Sequence, residues 1–145
     1  MKIYVDADAM PSIGIIEDTA RQYQIPCILV SDDSHQLTSF YSTIITVSKG
    51  YQSVDMWLIN HLQKGDIVIT QDYGVAVLSL TKLAKVINPK GMIYTNDNID
   101  TLLEQRHQKQ KLIRQKKYGK GPKKRTIQDD VQLKKSLIIC IEEEL

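Results

Sequence analysis

Short, continuous apolar runs separated by stretches of helical spacing constrain this chain more than any other feature. Lys2-Ile3-Tyr4-Val5, Cys27-Ile28-Leu29-Val30, Ile44-Ile45-Thr46-Val47 and Asp66-Ile67-Val68-Ile69-Thr70 read as strands covered on both faces, because a half-exposed strand would alternate apolar and polar residues. After Met10-Pro11, residues Ile13, Ile16 and Ala20 fall at helical spacing, and Pro26 ends that segment. Ser53 precedes Val54, Trp57, Leu58 and Leu62, a second helical stripe, which Lys64-Gly65 closes as a glycine stop. Val75, Leu78, Leu80, Leu83 and Ala84 supply a third helix, and Val86-Ile87 and Met92-Ile93-Tyr94 flank an Asn88-Pro89-Lys90-Gly91 turn as a fifth strand or a short hairpin. Strands separated by helices require crossover connections, so the pattern predicts an α/β fold: a mainly parallel central sheet of four to five strands flanked by helices.

A length of 145 residues suits one domain, spanning 1–145, with a single core. No apolar run reaches the roughly 18 residues of a membrane span, and Met1-Lys2-Ile3-Tyr4-Val5-Asp6 lacks a basic-then-apolar leader, so a cytoplasmic protein without membrane association is expected. Cys27 and Cys140 form no C-x-x-C pair, and His35, His61 and His107 are scattered; thiolate and imidazole metal sites are therefore disfavoured. The last third changes character. Residues 98–116 read as a polar helix, 117–125 as a basic loop containing glycine and proline, and Thr126-Ile127-Gln128-Asp129 as a capping box opening a C-terminal helix over 126–145. The helix and loop between Arg106 and Arg125 carry ten Lys/Arg and no acid, whereas the rest of the chain holds nine Lys/Arg against seventeen Asp/Glu. Such separation fits an anionic partner, although a solvated helix face followed by a basic loop would also produce it.

The aspartates supply the chemistry. Asp6 and Asp8 end the first strand, Asp72 follows the strand before it, and Asp97 follows Met92-Ile93-Tyr94-Thr95. In an open parallel sheet the carboxyl ends of the strands share one edge, where ligands bind, so these acids are expected to converge. If Asp6 and Asp8 keep the strand period of two, both side chains point the same way. Carboxylates so grouped repel one another unless a cation neutralises them, and an all-oxygen set suits Mg²⁺ or Mn²⁺. Asp97 has an alternative role as a cap for the helix beginning near Asn98, and Asp55 as a first-turn partner of its helix dipole. Asp66 opens its strand on the opposite sheet edge and is left out of the site. Trp57 falls on the apolar stripe and is assigned to the core; Lys49-Gly50-Tyr51 reads as a turn.

Five ordered motifs then carry a resemblance: Val5-Asp6-Ala7-Asp8-Ala9-Met10-Pro11, Gly50 with Asp55-Met56-Trp57-Leu58-Ile59, Gly65-Asp66-Ile67-Val68-Ile69-Thr70-Gln71-Asp72, Asn88-Pro89-Lys90-Gly91, and Tyr94-Thr95-Asn96-Asp97-Asn98-Ile99. Together they resemble the YaiI/YqxD family of uncharacterised bacterial proteins, which is grouped with PIN-like domains. The resemblance implies a three-layer PIN-like domain and a metal-dependent nuclease. On that reading Asp6, Asp8 and Asp72 are the catalytic metal-site acids, with Asp55 and Asp97 or Asn98 as weaker members. The chain departs from the family pattern at Met10, where the family usually has Cys, and at Gln71 and Tyr73-Gly74 around Asp72. The expected reaction is hydrolysis of an RNA phosphodiester. Arg106, Lys109, Arg114, Lys116, Lys117, Lys120, Lys123, Lys124 and Arg125 would track the phosphates, and Tyr118 is the one stacking platform within the loop. Two alternatives stand beside it. One is a non-catalytic nucleic-acid-binding module. The other is a haloacid dehalogenase-like phosphatase, suggested by Asp6-x-Asp8 after a strand and by Gly65-Asp66…Asp72, but lacking the hydroxyl residue expected where Met10 stands.

Overall fold

A computed structural model describes residues 1–8, 10–32, 36–48, 53–114 and 124–145. Strands β1 (Ile3–Asp6), β2 (Cys27–Asp32), β3 (Thr43–Val47), β4 (Ile67–Ile69), β5 (Lys85–Ile87) and β6 (Ile93–Tyr94) make one sheet in the order β3-β2-β1-β4-β5-β6. All neighbours pair in parallel except β5 and β6. Helices α1 (Ile13–Gln22), α2 (Val54–His61), α3 (Tyr73–Thr81), α4 (Asn96–Arg114) and α5 (Ile127–Glu144) cover the sheet. The α/β class and the parallel sheet are as the alternation of elements predicts.

Strand periodicity builds three layers. Ile3 and Val5 face α1 and α5, meeting Ile16, Ala20, Leu133, Leu137 and Ile141; Tyr4 faces the other way, towards α2, α3 and α4, with Val54, Leu58, Val75, Ala76 and Ile99. Ile3, Val5, Ile67, Val68 and Ile69 are completely buried, as continuous apolar runs require when helices cover both faces. Cys27 and Cys140 are free and buried within the first of these layers, and burial pushes both thiols up to about 11, so they are inert packing groups. Among the described residues no helix is long and apolar enough to cross a membrane.

Several local expectations change. Ile44-Ile45-Thr46-Val47 is not covered on both faces: β3 is the edge strand, and only Val47 of it is buried. The sheet has six strands rather than four to five, because the turn signal separates two paired strands. Asn88 Oδ1 accepts from the amides of Lys90 (2.9 Å) and Met92 (3.0 Å), setting Val86 opposite Tyr94 and Ile87 opposite Ile93. Lys64-Gly65 does not stop α2, which ends at His61: Leu62 turns extended (ψ 140°) and buries its side chain, and Gly65 (φ +86°) serves the later turn into β4. The third helix ends at Thr81, so Leu83 and Ala84 fall beyond it, Leu83 at φ 62°; Leu78 is 47% exposed, and α3 buries Val75, Ala76 and Ser79. Trp57 is only partly buried, stacked on His61 with ring centroids 3.8 Å apart.

The hairpin is clamped to α5 through Gly91. Its φ is +90°, and a Cβ there would lie 2.5 Å from the Gln132 backbone carbonyl carbon, while Ser136 Oγ donates to the Gly91 carbonyl. Substitution Gly91→Ala therefore combines a backbone penalty with a clash against a helix that cannot yield cheaply. A loss of about 2–4 kcal/mol is expected from urea unfolding. A loss below about 0.5 kcal/mol, the ordinary range for a surface substitution, would show that the contact is not tight.

Candidate functional site

The strand order reverses between β1 and β4. From β1 the chain adds β2 and β3 to one side, then returns to place β4, β5 and β6 on the other. At such a switch point the connections leaving the two central strands diverge and open a crevice at their carboxyl ends. Asp6 is the last residue of β1, and Thr70 and Asp72 follow β4, so all three belong to this crevice by topology.

One hydroxyl joins the two strand ends. Thr70 Oγ1 donates to Asp6 Oδ2 (2.9 Å) and accepts from the Asp72 amide (3.0 Å), and Thr70 is completely buried. Asp72 then caps α3: its Oδ1 accepts from the amides of Gly74 (2.7 Å) and Val75 (3.2 Å). Asp8 leans the other way, its Oδ1 accepting from the Asp32 amide at the end of β2 (3.3 Å). The aspartate that ends β1 and the one two residues later therefore engage different neighbours, Asp6 on the β4 side and Asp8 on the β2 side. The strand stops at Asp6, so the period of two does not extend to Asp8. Asp55 stands in the first turn of α2, behind the Ser53 cap that its sequence predicts.

Electrostatics show which of these acids share a neighbourhood. Burial pushes the Asp6 carboxyl up from 3.8 to about 6; the Thr70 hydrogen bond opposes the shift, and the charges of Asp55, Asp8 and Asp72 add to it. Asp55 is displaced upward as well, first by partial desolvation and then by Asp72. Asp97 is not among the charges acting on Asp6. It lies exposed in the first turn of α4, and the capping role expected of it belongs to Thr95 and Asn98. The Thr95 amide donates to Asn98 Oδ1 (2.8 Å) and the Asn98 amide to Thr95 Oγ1 (3.1 Å), which is a capping box. Asp66 is buried at the far sheet edge, where it accepts from the Lys2 and Gln63 amides.

The donors fit a hard divalent cation in kind, since all are carboxylate or hydroxyl oxygens and the repulsion at Asp6 is what a cation would relieve. Their arrangement is wider than one ion's shell. Among the described residues no three His, Cys, Asp or Glu side chains stand close enough to hold an ion.

The basic flank meets this crevice through Tyr73, the residue after Asp72. The Arg106 guanidinium lies 5.3 Å from the Tyr73 ring centroid, and Lys109 joins them around a surface cavity of about 460 Å³. Arg114 and Lys124 are exposed. Arg125 is committed elsewhere, pairing with Asp130 at 2.8 Å and donating to Ser12 Oγ at 3.1 Å. Lys116, Lys117, Lys120 and Lys123, together with Tyr118 and Lys49-Gly50-Tyr51, lie outside the described residues. Sequence reading missed Thr70; its signal was a hydroxyl residue at the end of a buried strand, two positions before an expected site acid.

Residues 4–143 match the family model described as the uncharacterized YaiI/YqxD family. The chain belongs to the YaiI/YqxD family. It is 49% identical to the UPF0178 protein of Ruminiclostridium cellulolyticum over 144 residues, covering 99% of this chain and 94% of that one. The Clostridium tetani UPF0178 protein is 49% identical over 141 residues and 97% of each chain, and that of Alkaliphilus oremlandii is 48% identical over all of this chain and 94% of its own. No solved structure matches the chain.

For this YaiI/YqxD chain the Asp6 shift has a sign that can be measured. The folded state holds the Asp6 proton more tightly than the unfolded chain. The stability associated with this group is therefore greatest below 3.8, falls as pH rises towards about 6, and stays lower above it. Asn can still accept from Thr70 while removing the charge. In EDTA at pH 7.5, Asp6→Asn is expected to gain on the order of 2 kcal/mol in urea unfolding, with the gain vanishing near pH 4. An equal or less stable variant at pH 7.5 would overturn the argument.

Proposed function

We propose that this chain is a PIN-like, divalent-metal-dependent phosphodiesterase that hydrolyses RNA. The observation carrying this reading is the carboxylate group at the β1/β4 switch point: Asp6 and Asp72 linked through Thr70, with Asp8 and Asp55 within electrostatic reach. Like charges grouped at the end of a buried strand destabilise the fold, and a site that binds a cation is a physical reason for keeping them. Bound by Asp6, Asp8 and Asp72, with Asp55 nearby, Mg²⁺ or Mn²⁺ would neutralise phosphoryl charge and lower the pKa of water. Asp6 is held in place by Thr70, and Asp72 by its two α3 amides, so both present carboxylates from rigid backbone. Asp8 gives one oxygen to the Asp32 amide, on the β2 side of the crevice.

An acidic crevice alone repels a polyanion. Arg106 and Lys109 on α4 offset this on the Tyr73 side, and residues 104–114 are exposed along the helix, leaving that face open to a strand of RNA. Arg125, already paired with Asp130, contributes less.

The wide spacing of the carboxylates favours a second reading, a nucleic-acid-binding module without catalysis. The phosphatase reading loses its acidic motif, because Asp66 lies on the opposite sheet edge, bonded to Lys2 and Gln63.

The deciding assay is cleavage of labelled single-stranded RNA with Mn²⁺. Wild-type protein is expected to cleave, EDTA to abolish cleavage, and Asp72→Asn to reduce it at least about 100-fold while remaining folded, since Asn also caps helices. A folded wild-type protein that binds RNA and Mn²⁺ without cutting would establish the binding module instead. Separately, Arg106→Ala and Lys109→Ala should each reduce the slope of log affinity against log salt by about 1. Unchanged slopes would remove α4 from the interface.

A further inference from the structure

A second concavity borders the carboxylates on the hairpin side, and it differs from them in charge. It has a volume of about 270 Å³, and no carboxylate among the described residues lines it. Its walls include Tyr73 and Tyr94, whose rings meet edge to face at 5.8 Å, the apolar rings of Pro11 and Pro89, and the cationic side chains of Lys90 and Arg125. Gln71 and Tyr73, the residues on either side of Asp72, both line it, so its wall and the expected site share one turn of chain.

The walls are held from behind. Tyr94 is 3% exposed and edge-packed on Tyr73, which also lies against the Arg106 guanidinium. The Asn88 side chain fixes the hairpin backbone on which Lys90 stands. Lys90 is exposed and has no ion-pair partner among the described residues, whereas Arg125 is neutralised by Asp130. A planar group bearing one anionic charge matches these features. The aromatic and proline faces suit a ring, and Lys90 supplies the unspent charge at the rim. The volume admits one such unit and lies just below the usual range for larger ligands.

We infer that this cavity is a subsite for a single ribonucleotide, with its base against Tyr73 and Pro89 and its phosphate towards Lys90. Its place beside a scissile bond rests on the nuclease reading; its affinity for a nucleotide does not. The subsite would take the nucleotide next to the one cleaved, fixing the strand while the carboxylates act on the neighbouring phosphodiester.

The test uses the full chain in EDTA, titrated with adenosine 5′-monophosphate or, separately, inorganic phosphate, with backbone amides followed by NMR. The nucleotide should shift the amides of Tyr73, Gly74, Lys90 and Gly91. Phosphate should bind more weakly and leave Tyr73 and Gly74 unmoved. Lys90→Glu and Tyr73→Ala should each weaken nucleotide binding about tenfold or more, while Tyr73→Phe retains it. No shift up to about 10 mM nucleotide, a concentration that would reveal even millimolar affinity, overturns the subsite. Phosphate reproducing the nucleotide shifts at equal affinity also overturns it, leaving only an anion site. The RNA cleavage assay separates the two proposals. Nucleotide binding without cleavage sinks the nuclease and keeps the pocket; cleavage without nucleotide binding does the reverse.

Discussion

The double pairing of β1 is the constraint on which the rest of the molecule depends. Ile3, Tyr4 and Val5 are hydrogen-bonded in parallel to β2 on one side and β4 on the other, and helices cover both faces. Water has no access to this strand, so its residues are apolar up to the position where it emerges. Asp6 is that position, still partly buried, and its environment follows from the register. Val30 of β2 stands opposite Asp6, β4 ends at Ile69 opposite Val5, and the next residue, Thr70, reaches Asp6 with its hydroxyl. A charge placed there is costly in the absence of a cation, and neighbouring acids raise the cost further.

Much of this was legible in the sequence because it depends on patterns within a few residues. Continuous apolar runs marked the central strands, Ser53 and the Thr126–Asp129 pair marked helix starts, and Asn88-Pro89-Lys90-Gly91 marked the hairpin. Asp66 was assigned correctly to the far edge because it precedes its strand, whereas Asp72 follows the same strand. Where the reading departed from the structure, tertiary contacts had decided among local options. Gly65 offered a plausible helix stop, but the buried seat of Leu62 ended α2 earlier. Asp97 lost instead to a local alternative, since Thr95 and Asn98, three residues apart, cap each other.

The gathering of the acids at one sheet edge was legible in the sequence; the directions of their side chains were not. Strand-end position brings Asp6, Asp8 and Asp72 to one sheet edge whatever their rotamers. Side-chain direction depends instead on which backbone amide lies within reach. The Asp32 amide draws Asp8 towards β2, and the α3 amides engage one oxygen of Asp72, so the carboxylates are neighbours without forming a compact ligand shell. The Asp32 amide is not identifiable from spacing in the sequence, because the sheet brings it to Asp8; the Gly74 and Val75 amides are local partners, those an N-cap residue engages.

Charge separation along the chain becomes spatial separation in the same way. The basic residues of α4 do not mix with the acids of the crevice; they meet it at Tyr73, where Arg106 lies against the ring next to Asp72. The C-terminal helix approaches the opposite side of the crevice. Ser12 adopts a left-handed conformation (φ 60°) at the start of α1 without a side-chain cap, and its hydroxyl instead donates to Asp130 (2.6 Å) and accepts from Arg125. Such a conformation in a residue other than glycine persists only when neighbouring contacts hold it. The α5 ion pair therefore fixes the connection that follows Asp6 and Asp8, and the Gly91 contact fixes the hairpin that carries Lys90. One helix thus positions both margins of the crevice, the acidic one through Ser12 and the cationic one through the hairpin, although none of its residues lines the carboxylate group.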